Sequence, residues 1–223
     1  MKKSLRELCT AIAICFCATG NLFATDNQIN TDHTMDKNLN LIKDWDKVFP
    51  QSDKVSHSKV TFRNRYGITL AADMYKPKHA DGKLPAIAIS GPFGAVKEQS
   101  SGLYAQELAE RGFLTIAFDP SYTGESGGEP RYVASPDINT EDFSAAVDYL
   151  STRDDVDAER IGILGICGWG GMALNAAAID TRIKATVTAT MYDMSRVNAN
   201  GYFDSMNADA RHELRRQLNA QRT

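Results

Sequence analysis

The stretch Ile161-Gly-Ile-Leu-Gly-Ile-Cys-Gly-Trp-Gly-Gly171 decides the fold. A short apolar run ends at Leu164, a glycine-rich turn with Cys167 at its apex follows, and a helical pattern begins at once. A tight turn from a strand into a helix crowds the backbone, so its flanking positions must be small. The N–H after the apex, that of Gly168, points at a developing oxyanion, and the helix start favours a thiolate. Cys167 is therefore the predicted nucleophile, with Gly168 as an oxyanion donor.

Two other interpretations of this turn remain open. A glycine-rich turn after a strand can cradle phosphate, but the Lys-Ser/Thr of a P-loop and a GxGxxG pattern are both absent. Cys167 can also be an inert, buried small hydrophobe. Trp169 occupies a position that is usually small, so we expect it either to form a wall of a pocket or to distort the turn.

The surrounding pattern predicts an α/β sheet. Val60 to Met74 alternates as an antiparallel hairpin does, with a turn over 63–67. Continuous apolar runs, typical of parallel strands buried on both faces, follow at 85–89, 113–118, 161–164 and 185–189. Helical patterns at 100–111, 140–152 and 168–179 alternate with these runs. The prediction is a mostly parallel, doubly wound sheet with an N-terminal antiparallel hairpin and a sixth strand ending near Thr190.

Two further loops lie where functional groups of such sheets collect, at the carboxyl ends of the strands. The loop 90–98 follows a strand that we expect next to the nucleophile strand. Because Pro92 has no N–H, a second oxyanion donor there must be Phe93 or Gly94. Lys97 and Glu98 are predicted to be a structural pair.

The loop 119–128 follows the fourth strand and is rich in glycine. Its Tyr122, together with Trp169, is predicted to line an aromatic pocket. A generic turn is the alternative interpretation of this loop.

Together the three loops resemble those of α/β-hydrolases, and the Gly-x-Cys turn with a Phe-Gly element resembles dienelactone-hydrolase-like bacterial proteins. Lys97-Glu-Gln99 and Gly124-Glu-Ser-Gly-Gly-Glu-Pro-Arg131 strengthen the resemblance, which covers roughly residues 58–195. It implies that an ester, lactone or related acyl bond of a small molecule is hydrolysed through a covalent intermediate on Cys167. A non-catalytic binding module of the same fold and a peptidase of the same fold are the alternatives.

A cysteine hydrolase also needs a base and an acid that orients it. In the family that this chain resembles, the acid usually follows the seventh strand and the histidine base follows the eighth. The pattern here predicts six strands. Asp193 is the candidate acid, with a loop or cap residue as the alternative. His212, the histidine that follows Cys167, is the candidate base, although its neighbours suggest a solvent-facing position. We hypothesise that the sequence is a truncated form of a longer hydrolase, impaired as written.

The N-terminus predicts an exported protein, periplasmic or secreted. Residues 1–24 combine a basic start with an apolar run that is too short for a bilayer and a plausible cleavage site, as a signal peptide does. A disordered tail is the alternative. Cys9, Cys15 and Cys17 lie in this segment, so Cys167 alone would remain and no internal disulfide is expected.

Charge and composition restrict the partners. The net charge is −3, and removing a basic signal makes it more negative, which argues against nucleic acid or an anionic membrane as a partner. No cofactor is expected, and no metal site is expected because no ligand cluster occurs at metal-binding spacing.

The predicted organisation has four parts. After the signal come a polar arm (25–54), whose end is fixed by Trp45, Val48 and Phe49, the hydrolase core (55–195), and the start of a cap or helical segment (196–223). The β-branched run 186–190 would form an open edge, so self-association through the sixth strand is expected.

Overall fold

The computed structural model describes residues 39–222. The predicted signal segment (1–24) and the first part of the polar arm (25–38) lie outside the described residues. Among the described helices, none is both long enough and apolar enough to cross a bilayer.

Six strands form one mixed sheet in the order β1-β2-β4-β3-β5-β6. The hairpin β1–β2 is antiparallel, β2 is antiparallel to β4, and β4, β3, β5 and β6 run parallel. All five residues of β4 are buried, as expected for a parallel strand covered on both faces. The predicted doubly wound sheet with a leading hairpin is confirmed. The strands are β1 (Val55–Arg63), β2 (Thr69–Pro77), β3 (Leu84–Ser90), β4 (Leu114–Phe118), β5 (Val156–Ile166) and β6 (Ile183–Ala189).

Helices cover both faces of the sheet. One apolar cluster joins α1 to strand residues such as Tyr75 and Ile89, and a second cluster joins α2 and α3 to the opposite face. α2 begins four residues earlier than the pattern predicts, because Pro136 suits a first helical turn, where its absent N–H needs no partner. The helices are α1 (Ser100–Ala109), α2 (Pro136–Ser151), α3 (Gly168–Ile179), α4 (Met194–Asn200) and α5 (Ala208–Ala220), with a 3₁₀ turn at Tyr202–Asp204.

The described end of the polar arm packs on the sheet through two of the three predicted residues. Phe49 is buried, and the indole N–H of Trp45 donates to the Phe49 carbonyl at 2.8 Å. The expectation that the Val48 side chain helps to fix the arm is wrong, since that side chain is 73% exposed. Its backbone N–H instead donates to the carbonyl of Glu98 at 3.2 Å.

The strand β6 lies at the edge of the sheet. Within the described chain it pairs with β5 alone, and no residue from 183 to 222 is fully buried. The Val187 side chain is 54% exposed. An open edge with β-branched residues is a template for pairing with another strand. Self-association through β6 stays a prediction.

A charge on this edge should weaken that association. We expect the weight-average mass of the chain in sedimentation velocity to rise with protein concentration, and Val187→Lys to reduce the rise, because the ammonium must be desolvated when a second strand pairs. Val48→Lys, at another exposed valine that lies far from this edge in the sequence, is the control. An equal mass profile for both variants and the parent chain would rule out pairing through β6.

Candidate functional site

Cys167 occupies the apex of the turn between β5 and α3. Its φ and ψ are 57° and −125°, a conformation that a non-glycine residue adopts at a cost of about 1–3 kcal/mol. Two hydrogen bonds hold the turn: the Cys167 N–H donates to the Ala189 carbonyl at 2.8 Å, and the Gly170 N–H donates to the Cys167 carbonyl at 3.0 Å. The side chain is half-buried. This is the geometry of a nucleophile elbow.

Glycines on either side of Cys167 are required by close packing. A Cβ on Gly165 would overlap the backbone carbonyl of Trp169 in the first turn of α3. A Cβ on Gly168 would overlap the ring of Phe93, which lies directly on that residue. The elbow and the loop after β3 are therefore in direct contact, as the predicted oxyanion site requires.

The predicted oxyanion donors have free N–H groups. Within residues 39–222, the backbone N–H groups of Phe93, Gly94 and Gly168 have no acceptor. Gly168 is the first residue of α3, where helix geometry leaves the N–H unpaired and the helix dipole is positive. An acyl oxygen at the elbow could accept from these groups. The assignment of these three donors stays a prediction.

A pocket of about 260 Å³ opens beside the elbow. Trp169 forms one wall, and its ring meets that of Phe93 edge-on with the centroids 4.5 Å apart. Of the two possibilities for Trp169, it therefore lines a pocket while the turn keeps its elbow geometry. Tyr122 is buried instead, with its ring against Gly128, and does not line this pocket. The lining residues come from 92–96, 120, 123–124, 132–134 and 169.

Asp193 caps the short helix α4. Its Oδ1 accepts hydrogen bonds from the Arg196 N–H at 2.9 Å and the Ser195 hydroxyl at 2.6 Å. The hydrogen bond from Ser195, followed by that from the Arg196 N–H, lowers the pKa of Asp193. The structure thus places Asp193 at a helix cap, which was the alternative to the catalytic acid. Its role as an orienting acid stays a prediction.

The histidines lie apart from the elbow's hydrogen bonds. His212 is exposed on α5, and His57 is hydrogen-bonded through Nε2 to Asp73 at 2.8 Å, among the side chains of β1 and β2. In the described part of the chain, no hydrogen bond joins a histidine to Cys167 or to Asp193. His212 as the base stays a prediction.

Tyr192 is a neighbour of Cys167 that the sequence reasoning overlooked. Interaction with the Cys167 side chain raises the pKa of Tyr192. Tyr192 follows β6 by three residues, so its position at the carboxyl edge of the sheet was the available signal.

A buried ion cluster lies behind the pocket loops. Asp46, Glu98 and Glu125 bring carboxylate oxygens within 4.8 Å of one another, a grouping that sequence spacing did not reveal. Lysine ammonium groups already pair with all three: Lys97 Nζ lies 2.5 Å from Glu98 and 2.6 Å from Glu125, Lys59 Nζ lies 2.6 Å from Glu125, and Lys47 Nζ lies 2.6 Å from Asp46. The donor set therefore fits an internal salt-bridge cluster better than a cation site.

A second buried carboxylate fixes the loop after β4. Asp142 on α2 accepts hydrogen bonds from the backbone N–H and the hydroxyl of Ser121, both at 2.8 Å. Amide groups of Asn64 and Asn139 complete its shell. Burial raises the pKa of Asp142, against the opposing effect of these hydrogen bonds. The loop that faces the pocket is thereby tied to the helix beneath it.

Comparisons with known proteins identify the family and the fold. The model of the family described as X-Pro dipeptidyl-peptidase (S15 family) matches residues 66–222. The uncharacterized protein PA2218 of Pseudomonas aeruginosa is 63% identical over 212 residues, which are 95% of this chain and 56% of that protein. The crystal structure of PA2218 superposes with a TM-score of 0.82 at 68% identity, covering 84% of this chain and 59% of that chain.

Two more distant relatives extend the comparison. The uncharacterized protein YcjY of Escherichia coli is 48% identical over 150 residues, 66% of this chain and 49% of that protein. Thiohydrolase aneE of Aspergillus aculeatus is 31% identical over 137 residues, 61% of this chain and 42% of that protein. The chain spans about half the length of the curated relatives that it matches.

Proposed function

Because the chain belongs to the X-Pro dipeptidyl-peptidase (S15) family of α/β hydrolases, we propose that it cleaves a small ester, lactone or thioester through a covalent intermediate on Cys167. Family membership confirms the resemblance of the three loops to those of α/β-hydrolases. The cysteine chemistry and the substrate class are our proposal.

The observation that carries the proposal is the strained, half-buried Cys167 at the end of β5, followed directly by Gly168, whose N–H is unpaired and which contacts the loop of Phe93 and Gly94 through the Phe93 ring. A strained conformation for a reactive residue is a common feature of functional sites. Backbone N–H groups without an acceptor are the donors that an oxyanion needs.

The proposed reaction has two steps. The Cys167 thiolate attacks the acyl carbonyl carbon, the carbonyl oxygen becomes an oxyanion held by the free N–H groups, and collapse expels an alkoxide or thiolate. The acyl group is then a thioester on Cys167, which water hydrolyses to a carboxylic acid and the free thiol. Attack requires only the thiolate, whereas hydrolysis of the thioester requires activation of water. We therefore expect acylation to be the more readily observed step.

Pocket size and a relative's name favour short acyl thioesters. Ligand pockets commonly measure about 300–1,000 Å³, so about 260 Å³ suits a short chain or a single ring. The aromatic walls of Phe93 and Trp169 suit an apolar acyl group. Thiohydrolase aneE, a relative of this chain, is named for thioester hydrolysis, which supports a thioester substrate.

The test is acylation of the chain by phenyl thioacetate, phenyl thiooctanoate and the peptidase substrate Gly-Pro-p-nitroanilide. We expect phenyl thioacetate to acylate Cys167 stoichiometrically, as seen by peptide mass mapping, and the octanoyl compound to react more slowly because its chain exceeds the pocket. Cys167→Ser is the control for the site of modification.

The other outcomes select the alternatives. Cleavage of Gly-Pro-p-nitroanilide would favour the peptidase. A folded chain in which no thioester modifies Cys167 would contradict the proposal and leave a non-catalytic binding module.

A further inference from the structure

Lys97 is a fully buried lysine in the loop that contains the proposed oxyanion donors Phe93 and Gly94. Its ammonium lies 2.9 Å from Asp119 Oδ2, 2.6 Å from Glu125 Oε2 and 2.5 Å from Glu98 Oε1, and its side chain has no exposed area. An ammonium without partners would be very costly to bury. Burial alone lowers the pKa of Lys97, but attraction by Asp119 and Glu98 outweighs it and raises the pKa. Lys97 is therefore a fixed positive charge.

Asp119, the first residue after β4, joins two loops through one carboxylate. Its Oδ1 accepts from the Lys97 backbone N–H at 2.8 Å, at the end of the loop that begins at Gly91. Its Oδ2 accepts from the Glu125 backbone N–H at 2.9 Å and from the Lys97 ammonium. Asp119 is completely buried, and a Cβ on Gly124 would overlap its carboxylate. The two loops consequently share one carboxylate as their common anchor.

The pocket lies between the same two loops. Residues 92–96 line one side, and Pro120, Thr123 and Gly124 line the other. Lys97 directly follows the first group, and Asp119 directly precedes the second. Any change in the spacing of the Lys97–Asp119 pair must therefore move Phe93 and Gly94 relative to the opposite wall and to Cys167.

The described end of the N-terminal arm and β1 contact the cluster through Glu125. The Ile42 N–H donates to Glu125 Oε1 at 2.6 Å, and Lys59 Nζ lies 2.6 Å from Glu125 Oε2. The Lys97 and Asp119 side chains have no exposed area, so water is kept from this pair and its charge interaction is strengthened. Solvent screening, which makes surface pairs weak, has little effect on such a buried pair.

We propose that Lys97 and Asp119 are positioning residues for acyl transfer at Cys167: their buried pair fixes the oxyanion loop so that the Phe93 and Gly94 N–H groups face the acyl oxygen. The inference rests on the proposed function. Neither side chain touches substrate in this role.

The variants are Asp119→Asn, Lys97→Met and Lys97→Arg, with Lys76→Met as the matched control. Asp119→Asn keeps an acceptor for the Lys97 N–H but sets an amide N–H₂ against the Lys97 ammonium and the Glu125 N–H, so the loops must shift. Lys97→Arg keeps the charge. Lys76 belongs to a separate ion pair with Asp155, at 2.9 Å, whose residues do not line the pocket.

Two reactions of Cys167 separate positioning from a merely structural role. Acylation by phenyl thioacetate develops an oxyanion, whereas alkylation by iodoacetamide does not. A misplacement of about 1 Å can reduce a rate about a hundredfold. For Asp119→Asn and Lys97→Met we expect the saturating acylation rate to fall about 10- to 100-fold, with the half-saturating thioester concentration and the alkylation rate nearly unchanged.

The remaining outcomes are decisive as well. Lys97→Arg should recover part of the acylation rate, and Lys76→Met should match the parent chain. If Lys97→Met does not fold, as judged by circular dichroism, the acylation and alkylation rates of the isosteric Asp119→Asn variant test the proposal. Equal losses of acylation and alkylation, or no loss of acylation, would overturn positioning while leaving the proposed function intact. A parent chain that iodoacetamide alkylates but no thioester acylates would overturn both.

Discussion

Cys167→Ala is expected to abolish acylation by phenyl thioacetate, with a rate at least about a thousandfold below that of the parent chain, since the nucleophile itself is removed. Cys167→Ser should lie close to the alanine variant, because a serine hydroxyl, unlike a thiol, is not appreciably ionised without a strong adjacent base. Rapid quenching followed by intact-mass measurement gives the acylated fraction against time.

The chain itself offers a matched control. Cys9, Cys15 and Cys17 are the other thiols of the sequence, and a variant with all three changed to serine should acylate at the parent rate. If Cys167→Ala were acylated as fast as the parent, the elbow would not be the reactive site, and the proposed mechanism would be wrong.

Gly165→Ala is expected to destabilise the fold and the elbow together. Its new methyl group would meet the backbone of Trp169 and Gly170, which cannot rotate away as a side chain could. We expect the free energy of unfolding to fall by about 2–3 kcal/mol, and the acylation rate to fall about a hundredfold as the turn shifts. Urea unfolding followed by circular dichroism, with the acylation assay on the folded fraction, measures both.

Gly171→Ala is the corresponding control. A Cβ at Gly171 meets nothing within 4 Å, and the residue lies inside α3. Alanine should therefore raise the unfolding free energy by up to about 1 kcal/mol through its better helix propensity. Equal unfolding free energies for Gly165→Ala and Gly171→Ala would mean that the turn relaxes freely and is not a rigid elbow.

The framework of the sheet was predictable because its signals are local. Apolar runs identified β3 to β6, and the helical pattern at 168–179 coincides with α3. The glycine-flanked Cys167 was visible because close backbone packing restricts the residues on both sides of it. The start of α2 was less predictable, since Ile138 is the one large apolar side chain of the helix before Phe143, while Pro136 opens the helix.

The charges behind the loops could not be derived in this way. Lys97, Asp119 and Glu125 are brought together by the strand order β4-β3-β5, which sequence spacing does not contain. Lys97 and Glu98 were indeed identified as a structural pair, but neither their burial nor their partners were. Tyr122 was expected to line the pocket because aromatic residues in loops often do, whereas its positive φ turns it against Gly128.

The unfavourable backbone angles of Cys167 also bear on the history of the chain. Glycine at this position would be free of steric strain, so a lineage that no longer used the thiol would gain stability by a single substitution. Most proteins lie just above the stability that selection demands, which makes such a substitution easy to accept. The strained cysteine is therefore a cost in stability that a reactive thiol would explain and an inert side chain would not.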